Sequence, residues 1–247
     1  MTRILPKRMD IKQLRVACSN CSLRELCLPA GLASGDLNAL DELVNRRRTV
    51  KRGAYLYHSD TPLQSLYAIR SGFIKTAVSH ADGREQVAGF HMPGDLMGLD
   101  AIGSGRHICD AMALEDCEVC EMPLDALEAL SRKIPSLQQH FHRILSREIV
   151  RDHGMMLLLG SMRAEERLAA FLLNLSQRFA ARGYSPTEFM LRMTREEIGS
   201  FLGLKLETVS RALTRMQENK LIEVRHRQVR ILDLEKLRAL SNRLAPL

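Results

Sequence analysis

Short segments of alternating apolar and polar residues fill much of the first half of the chain. Between Gly53 and Gly105, eight of the fifteen glycines separate segments that are rich in β-branched and aromatic residues. Turns at intervals of about eight to twelve residues are typical of a small antiparallel barrel or sandwich. The segments that we predict as strands are residues 54–57, 65–70, 73–78 and 85–90, with an Asp82-Gly83 hairpin signal between the last two.

From Pro135 onward the spacing of apolar residues becomes that of a long helix. Apolar residues recur at steps of three and four over about 25 residues, without an interior proline. A helix of this length with a single apolar stripe predicts a coiled-coil seam between two copies of the chain. We therefore predict a homodimer whose contacts include Ile149 and Met156. A shorter amphipathic helix is predicted before the strands, at residues 34–44.

One carboxylate interrupts the apolar stripe of the long helix. Asp152 lies three residues after Ile149 and four before Met156. In a symmetric dimer this side chain would face its own copy, which costs free energy unless something compensates. The sequence therefore predicts a dimer that is held near the limit of stability, with an outward-pointing Asp152 as the structural alternative.

The last third of the chain predicts two short helices joined by a glycine turn. Thr194 and Glu197 have the spacing of a capping box, which opens the first helix. Gly203 ends that helix, and the second helix is predicted at residues 206–219. This is the pattern of a helix-turn-helix, whose second helix lies in the major groove of DNA.

The exposed N-terminal face of this second helix carries side chains that can read bases. Arg211 can bond guanine at two atoms, Glu207 can accept from the amino group of cytosine, and Ser210 can serve either partner. An internal Glu207–Arg211 ion pair, worth about 0.2–0.5 kcal/mol, is the structural alternative, and both can hold. Residues 221–224 and 229–232 predict a two-stranded wing whose cationic tip suits contacts with phosphates.

The net charge of +7 is concentrated in the last third of the chain. Residues 161–247 hold 16 Lys and Arg against 10 Asp and Glu, whereas the first 160 residues hold 20 against 19. Such a distribution is expected where a domain meets a polyanion, although a solvated charged surface gives the same count.

The best apolar run, residues 155–159, is too short to span a membrane, and no secretory signal is recognisable. We therefore expect a cytoplasmic protein, in which thiols stay reduced.

Three of the six cysteines fall within ten residues. Cys18, Cys21 and Cys27 have the spacing C-x2-C-x5-C, which indicates a soft metal centre, a redox switch or a disulfide cross-link. A reducing compartment favours the first two. A dithiol oxidoreductase that uses Cys18 and Cys21 would need a βαβ setting, which the surrounding sequence does not predict.

Together these features resemble the CRP/FNR superfamily of bacterial transcription regulators, and within it the FNR/ANR class of oxygen sensors. The resemblance covers nearly the whole chain. Besides the three cysteines, the segments that carry it are residues 66–72, 89–95, 119–123, 164–171 and 207–211. It implies an α+β fold with four parts: a cysteine arm (1–30), a β-roll of the cyclic-nucleotide-binding jelly-roll type (31–134), a dimerisation helix (135–160) and a winged helix-turn-helix (161–247).

The resemblance also implies a [4Fe–4S] cluster in each subunit, held by three cysteines of the arm and one of the β-roll. Residues 119–123 match the family motif, so we predict Cys120 as the fourth ligand. Cys117 is expected to be a packed thiol, and Cys109 is expected not to be a ligand. Four thiolates can also hold zinc, and a clusterless regulator with a zinc or thiol–disulfide switch is the alternative.

In this family the cluster-loaded protein dimerises, binds two-fold DNA targets with TTGAT-like half-sites and contacts RNA polymerase to activate anaerobic genes. Oxygen converts the cluster to a [2Fe–2S] form, and the dimer separates. The resemblance implies the same behaviour here, and residues 82–85 are similar to the loop that contacts polymerase. Other members of the superfamily bind cyclic AMP through an Arg-Ser or Arg-Thr step. In this chain Arg106 is followed by His107, so we expect no cyclic-nucleotide binding.

Overall fold

The first part of the chain is built on two four-stranded antiparallel sheets. The computed structural model describes residues 18–44, 46–79 and 83–241. The strands are β1 Arg46–Val50, β2 Tyr55–Tyr57, β3 Ser65–Ser71, β4 Ile74–Ser79, β5 Glu85–His91, β6 Leu96–Met97, β7 Asp110–Ala113 and β8 Cys117–Pro123. One sheet has the strand order β1-β8-β3-β6 and the other β2-β7-β4-β5. Residues 1–17 of the predicted arm and Asp82 of the predicted hairpin turn lie outside the described residues.

An apolar core fills the space between the two sheets. Successive side chains of a strand point to opposite faces, so residues of one parity enter this core. Ile69 of β3, Ile74 of β4 and Val119 of β8 meet there, each at most 1% exposed. The short β-rich segments between glycines therefore form strands because alternate positions can be buried.

A second apolar core lies on the outer face of the first sheet. Leu66 of β3 and Met122 of β8, which have the opposite parity, contribute to it. Two helices cover this face, α1 Ser34–Leu43 and α2 Leu124–Lys133. Helix α2 was not predicted from the sequence, although Leu124, Leu127 and Leu130 recur at helical spacing. Helix α1, which is also ten residues long, was predicted from such a spacing, so the signal for α2 was present and was overlooked.

Helix α3, Pro135–Ser161, is the long helix that the apolar stripe predicts. Pro135 occupies the first helical turn, where its missing N–H costs nothing. Leu137 and Ile144 enter the second core, and Leu158 enters the core of the last domain. The helix therefore contacts both halves of the chain.

The last domain is a winged helix-turn-helix, as predicted. Its elements are α4 Ala164–Ala181, β9 Glu188–Met190, α5 Arg195–Leu202, α6 Leu206–Glu218, β10 Ile222–Arg225, β11 Gln228–Ile231 and α7 Leu234–Leu240. The wing β10–β11 gains a third strand, because β9 pairs with β11. Three-residue β9 was not predicted, since so short a strand carries no alternation of its own.

The two halves of the chain meet where α5 packs beside β5. Lys75 Nζ of β4 lies 2.7 Å from a Glu85 oxygen and 3.2 Å from a Glu197 oxygen of α5. The rings of Phe90 and Phe201 lie 5.2 Å apart between their centroids.

The predicted α+β architecture is confirmed. Within the described ranges, no helix has the length and apolar character that crossing a membrane requires.

Candidate metal centre and nucleic-acid interface

The four cysteines that were predicted as ligands line a single cavity. Cys18, Cys21 and Cys27 come from the arm, and Cys120 comes from β8. The rest of the wall consists mostly of apolar side chains, with two arginines: Leu23, Leu28, Pro29, Leu40, Val44, Ala68, Ile69, Met122, Arg24 and Arg70. The structure thus brings together two segments that are far apart in the sequence.

The arm reaches this cavity as a succession of tight turns. A 3₁₀ helix spans Cys18–Asn20. The backbone N–H of Cys21 donates to the carbonyl of Cys18 at 3.2 Å, and that of Arg24 donates to the carbonyl of Cys21 at 3.1 Å. In a chain with about three residues per turn, side chains three residues apart lie on the same side. The spacing of the first two cysteines therefore turns both thiols toward the cavity.

Cys120 faces the arm because of its position in β8. It lies opposite Arg47 of β1 and Ala68 of β3 in the sheet. Cys117, an odd number of residues earlier, points to the other face, where its thiol donates to the carbonyl of Phe73 at 3.3 Å and the residue is 2% exposed. Among the described residues, only the four predicted ligand cysteines contribute thiols to the cavity.

Burial controls the charge of Cys18, Cys27 and Cys120. It raises the pKa of Cys18 to about 12, and the Asp41 carboxylate and the neighbouring thiols add to the rise. Burial also raises the pKa of Cys27 and of Cys120, although two arginines act in the opposite direction on Cys120. Thiols of this kind keep their protons near neutral pH. A metal that binds here must therefore displace protons.

The donor set fits an iron–sulfur cluster. Four thiolates are the ligand set of [4Fe–4S] clusters and also of many structural zinc sites. All six cysteines are free of disulfide bonds. Across the described ranges, no group of three or more His, Cys, Asp and Glu side chains converges closely enough to hold a single metal ion. The four thiols that line the cavity match in number the four thiolates that a [4Fe–4S] cluster takes, one for each iron atom.

Two side chains that sequence reasoning did not single out contact the arm. Asp41 of α1 accepts hydrogen bonds from the backbone N–H of Cys18 and, at 3.0 Å, from Ser19 Oγ. His140 Nε2 of α3 lies 3.2 Å from the carbonyl oxygen of Cys27. No local pattern could have revealed these contacts, because they join residues 23 and 113 positions apart in the chain.

The turn between β5 and β6 contacts both the arm and the last domain. A Cβ on Gly94 would lie 3.0 Å from the Cβ of Leu26, so only glycine lets the arm approach this closely. The neighbouring Asp95 is paired with Arg178 of α4 and, at 2.7 Å, with Arg182, the residue that follows α4. Burial acts to raise the pKa of Asp95, but the two guanidinium groups outweigh it and lower the pKa to about 2. This ion pair therefore persists at neutral pH.

The residues predicted for a dimer interface lie on the outward face of α3. The side chains of Ile149 and Met156 are 55% and 62% exposed, and Val150 and Leu157 beside them are equally open. Asp152 is exposed between them. A contiguous apolar stripe on the surface of one protomer is typical of a face that a second copy covers. The contacts themselves stay a prediction.

The helix-turn-helix is fixed by its own local sequence. Thr194 Oγ1 accepts from the Glu197 N–H at 3.1 Å, and the Glu197 carboxylate accepts from the Thr194 N–H at 2.7 Å, so the capping box is present. Gly203 ends α5 with a left-handed φ of 63°, which glycine adopts without strain. Val209 and Leu213 of α6 are buried. The relative placement of α5 and α6 follows from these features.

Glu207, Ser210 and Arg211 lie in the first two turns of α6. Glu207 and Arg211 are exposed, and Ser210 is half-buried. Ser210 Oγ accepts from Arg195 Nη1 of α5 at 3.3 Å. In the part of the chain that the structure describes, Glu207 and Arg211 do not pair with each other, so both side chains are available to a base edge. Their contacts with bases stay a prediction.

In the loop that corresponds to the cyclic-phosphate site of other superfamily members, Arg106 and His107 already have partners within the protein. Arg106 Nε donates to Asp60 Oδ1 at 2.8 Å on the surface. His107 is 4% exposed and stacks on Tyr57 at 3.7 Å between ring centroids, with Nδ1 3.5 Å from an Asp100 oxygen. At this step the chain has an arginine that is paired with Asp60, followed by a buried imidazole in place of a hydroxyl. The expected absence of cyclic-nucleotide binding stays a prediction.

Comparison with known proteins covers both halves of the chain. Residues 47–133 match the cyclic nucleotide-binding domain family, and residues 166–240 match the Crp-like helix-turn-helix domain family. The chain is 48% identical over 236 residues to the transcriptional regulatory protein btr of Bordetella pertussis, covering 96% of this chain and 98% of that protein. It is 44% identical over 243 residues to the fumarate and nitrate reduction regulatory protein of Escherichia coli K12, covering 96% and 97%.

A solved structure shares the fold. FixK2 from Bradyrhizobium japonicum superposes with a TM-score of 0.74 at 30% sequence identity, covering 81% of this chain and 98% of that one. The similarity therefore extends across the β-roll, the long helix and the winged domain.

Proposed function

The chain belongs to the CRP/FNR family of DNA-binding transcription regulators, which are not enzymes, and from this premise we propose that it is an oxygen-responsive regulator of anaerobic genes. Cys18, Cys21, Cys27 and Cys120 hold one [4Fe–4S] cluster in each subunit. When bound, such a cluster supplies a centre that oxygen attacks. The chain's own residues turn its presence or loss into dimerisation and DNA binding.

The observation that carries this proposal is the single cavity lined by the four thiols. The arm supplies three of them and the β-roll supplies one. A group bound by all four ties the arm to the β-roll, and loss of that group leaves the arm with only its own weaker contacts. The same apolar core that includes Leu28 of the arm also includes Leu137 and Ile144 of α3. Seating of the arm therefore bears directly on the helix that is predicted to dimerise.

Asp152 keeps the dimer conditional. Its carboxylate lies on the exposed stripe with Ile149 and Met156, where a symmetric partner would present a second carboxylate. A small stabilisation of α3 by the seated arm then decides whether two copies associate. In the cluster-free protein, repulsion between the two carboxylates favours the monomer.

The dimer presents two copies of α6 to adjacent major grooves. Arg211, Glu207 and Ser210 contact base edges of two-fold TTGAT-like half-sites, while the wing contacts phosphates. Target genes are then activated through contacts with RNA polymerase in the cytoplasm. No cyclic nucleotide takes part, because Arg106 is paired with Asp60 and His107 is buried.

Analysis of anaerobically purified protein tests the proposal. We expect broad visible absorbance from the cluster, with close to four iron and four sulfide per chain, the composition of a [4Fe–4S] centre. Zinc without sulfide would contradict the proposal and favour a zinc switch. Metal-free protein that gains a disulfide in air would contradict it and favour a thiol–disulfide switch.

A further inference from the structure

The described part of the arm is held at Cys18 and at Cys27, here called its two ends, by side chains from two different helices. At its start, Asp41 of α1 accepts from the N–H of Cys18 and from Ser19 Oγ. At its end, His140 of α3 contacts the carbonyl of Cys27. Only the second of these contacts reaches the helix that carries Ile149 and Met156. The two ends of the arm are therefore anchored to elements with different roles.

The chemistry of the contact fixes how His140 acts. A carbonyl oxygen can only accept, so the imidazole must carry a proton on Nε2 and donate it to Cys27 O. The same carbonyl also accepts from the N–H of Ala30 at 3.1 Å, within the arm's own turn. A change in the conformation of the turn at Cys27 therefore moves the carbonyl oxygen to which His140 donates.

The surroundings of His140 make this contact part of the packing of α3. Leu137, one helical turn earlier, is fully buried in the core that also contains Leu28 of the arm and Leu32 just after it. His140 itself is half-buried. The apolar contacts between the arm and α3 have no preferred direction, and the imidazole adds a hydrogen bond that has one. Because a hydrogen bond weakens steeply as its angle departs from linearity, it is sensitive to small displacements of the arm relative to α3.

We propose that His140 is the positioning residue that couples the seating of the cysteine arm to helix α3, through its hydrogen bond to the Cys27 carbonyl. Asp41 anchors the other end of the arm to α1 and does not serve this coupling. The inference rests on the proposed function, because coupling matters only if arm seating controls the dimer. The contact itself joins two residues of this chain, His140 and Cys27, so it can be probed without any cluster.

Amide hydrogen exchange on cluster-free protein tests the coupling without any cluster. For His140→Ala we expect about two- to tenfold faster exchange both in residues 27–32 and in residues 135–145, the change that loss of one ordinary hydrogen bond supplies. His140→Gln, whose amide can donate to the same carbonyl, should return both segments toward the wild type. Asp41→Ala should accelerate exchange in residues 18–24 and leave residues 135–145 unchanged.

Two exchange patterns would overturn the inference. One is His140→Ala protein in which the arm exchanges faster but residues 135–145 do not. The other is Asp41→Ala protein that changes α3 as much as His140→Ala does. Rescue by His140→Gln separates a lost hydrogen bond from a general loss of packing.

Sedimentation of anaerobic, iron-loaded protein tests the same coupling at the level of dimerisation. At equal iron content, His140→Ala should lower the dimer fraction several-fold relative to wild type and to His140→Gln. If iron content falls in step with the dimer, His140 seats the ligand and does not couple it to α3, which contradicts the inference. If wild-type protein binds no iron at all, the proposed function fails, and the exchange pattern still decides the role of His140.

Discussion

The proposed cysteine site and the helix-turn-helix are assembled in different ways. The helix-turn-helix is contiguous: the capping box at Thr194, the glycine turn at Gly203 and the face of α6 that is proposed to read bases lie within one short stretch. The cavity takes its thiols from two distant segments, and its walls and arm contacts draw on α1, the β-roll and α3.

This difference explains which region can act as the switch. Local features fix the DNA-reading unit, so it keeps its shape whatever happens elsewhere in the chain. The cavity exists only while the arm is seated, and the arm is a run of turns with few buried side chains of its own. Sensing elements come from the less stable parts of a protein because they must change state.

The largest expected effect separates the two cysteines of β8. Cys120→Ser should abolish the anaerobic cluster absorbance, because it removes the β-roll's thiol from the cavity. Cys117→Ser is the matched control: its side chain lies on the opposite face of β8, bonded to Phe73 O, and the absorbance should persist. Visible spectra of both anaerobic variants check this, and the reverse result would overturn the choice of ligand.

The second prediction addresses the contiguous site. Arg211→Ala should weaken binding to a TTGAT-containing duplex about 5- to 150-fold and relax selectivity at one base pair, because a bidentate guanine contact is worth about 1–3 kcal/mol. Arg215→Ala, which removes a guanidinium already paired with Glu165 at 2.7 Å, is the control. Competition binding with single-base variants of the site makes the measurement. Equal losses on every sequence would mean that Arg211 contacts only phosphate.

The third prediction concerns His91, the last residue of β5, the strand that packs beside α5 of the helix-turn-helix. Burial and the nearby cations Arg151 and Arg178 lower the pKa of His91 to about 3, against the opposing effect of Asp95. The unfolded chain takes up this proton near the ordinary value of about 6.5, so the folded state loses stability as pH falls from there toward 3.

For wild-type protein this amounts to about 2 kcal/mol of unfolding free energy between pH 7 and pH 5. His91→Gln has no such proton to bind and can keep a bond to Thr76 Oγ1, which now lies 3.0 Å from His91 Nε2. Urea unfolding at several pH values compares the two proteins. Parallel pH profiles for wild type and variant would show that His91 does not stay neutral in the fold.

The smallest effect is expected at Asp152. Asp152→Ala should raise the dimer association constant of aerobically purified protein about fivefold, since two carboxylates about 4 Å apart in water repel by about 1 kcal/mol. His153→Ala, one position further along the exposed part of α3, is the control. Sedimentation velocity measures the dimer fraction, and an unchanged profile for Asp152→Ala would remove repulsion from the explanation.

Most of the fold and part of the site could be predicted from the sequence, for identifiable reasons. The capping box at Thr194 and the turn at Gly203 are local, so their pattern is complete within a few residues. The opposite orientations of Cys117 and Cys120 follow from strand parity once β8 is assumed. Asp41 and His140 were missed because an acidic or imidazole side chain carries no signal of a partner elsewhere in the chain. Strand β9 was missed because its three residues carry no alternation, whereas the helical spacing of leucines in α2 was present in the sequence and was overlooked.

The most direct test of the central claim is the DNA affinity of one anaerobic sample before and after exposure to oxygen, with iron content followed in parallel. Fluorescence anisotropy of a labelled duplex with two TTGAT half-sites reports the affinity at fixed salt. We predict specific binding while the cluster is intact and a fall toward non-specific binding as iron is lost, a change of about 10³-fold or more. Affinity that stays constant while iron leaves the protein would contradict control of the DNA-reading unit by the cysteine arm.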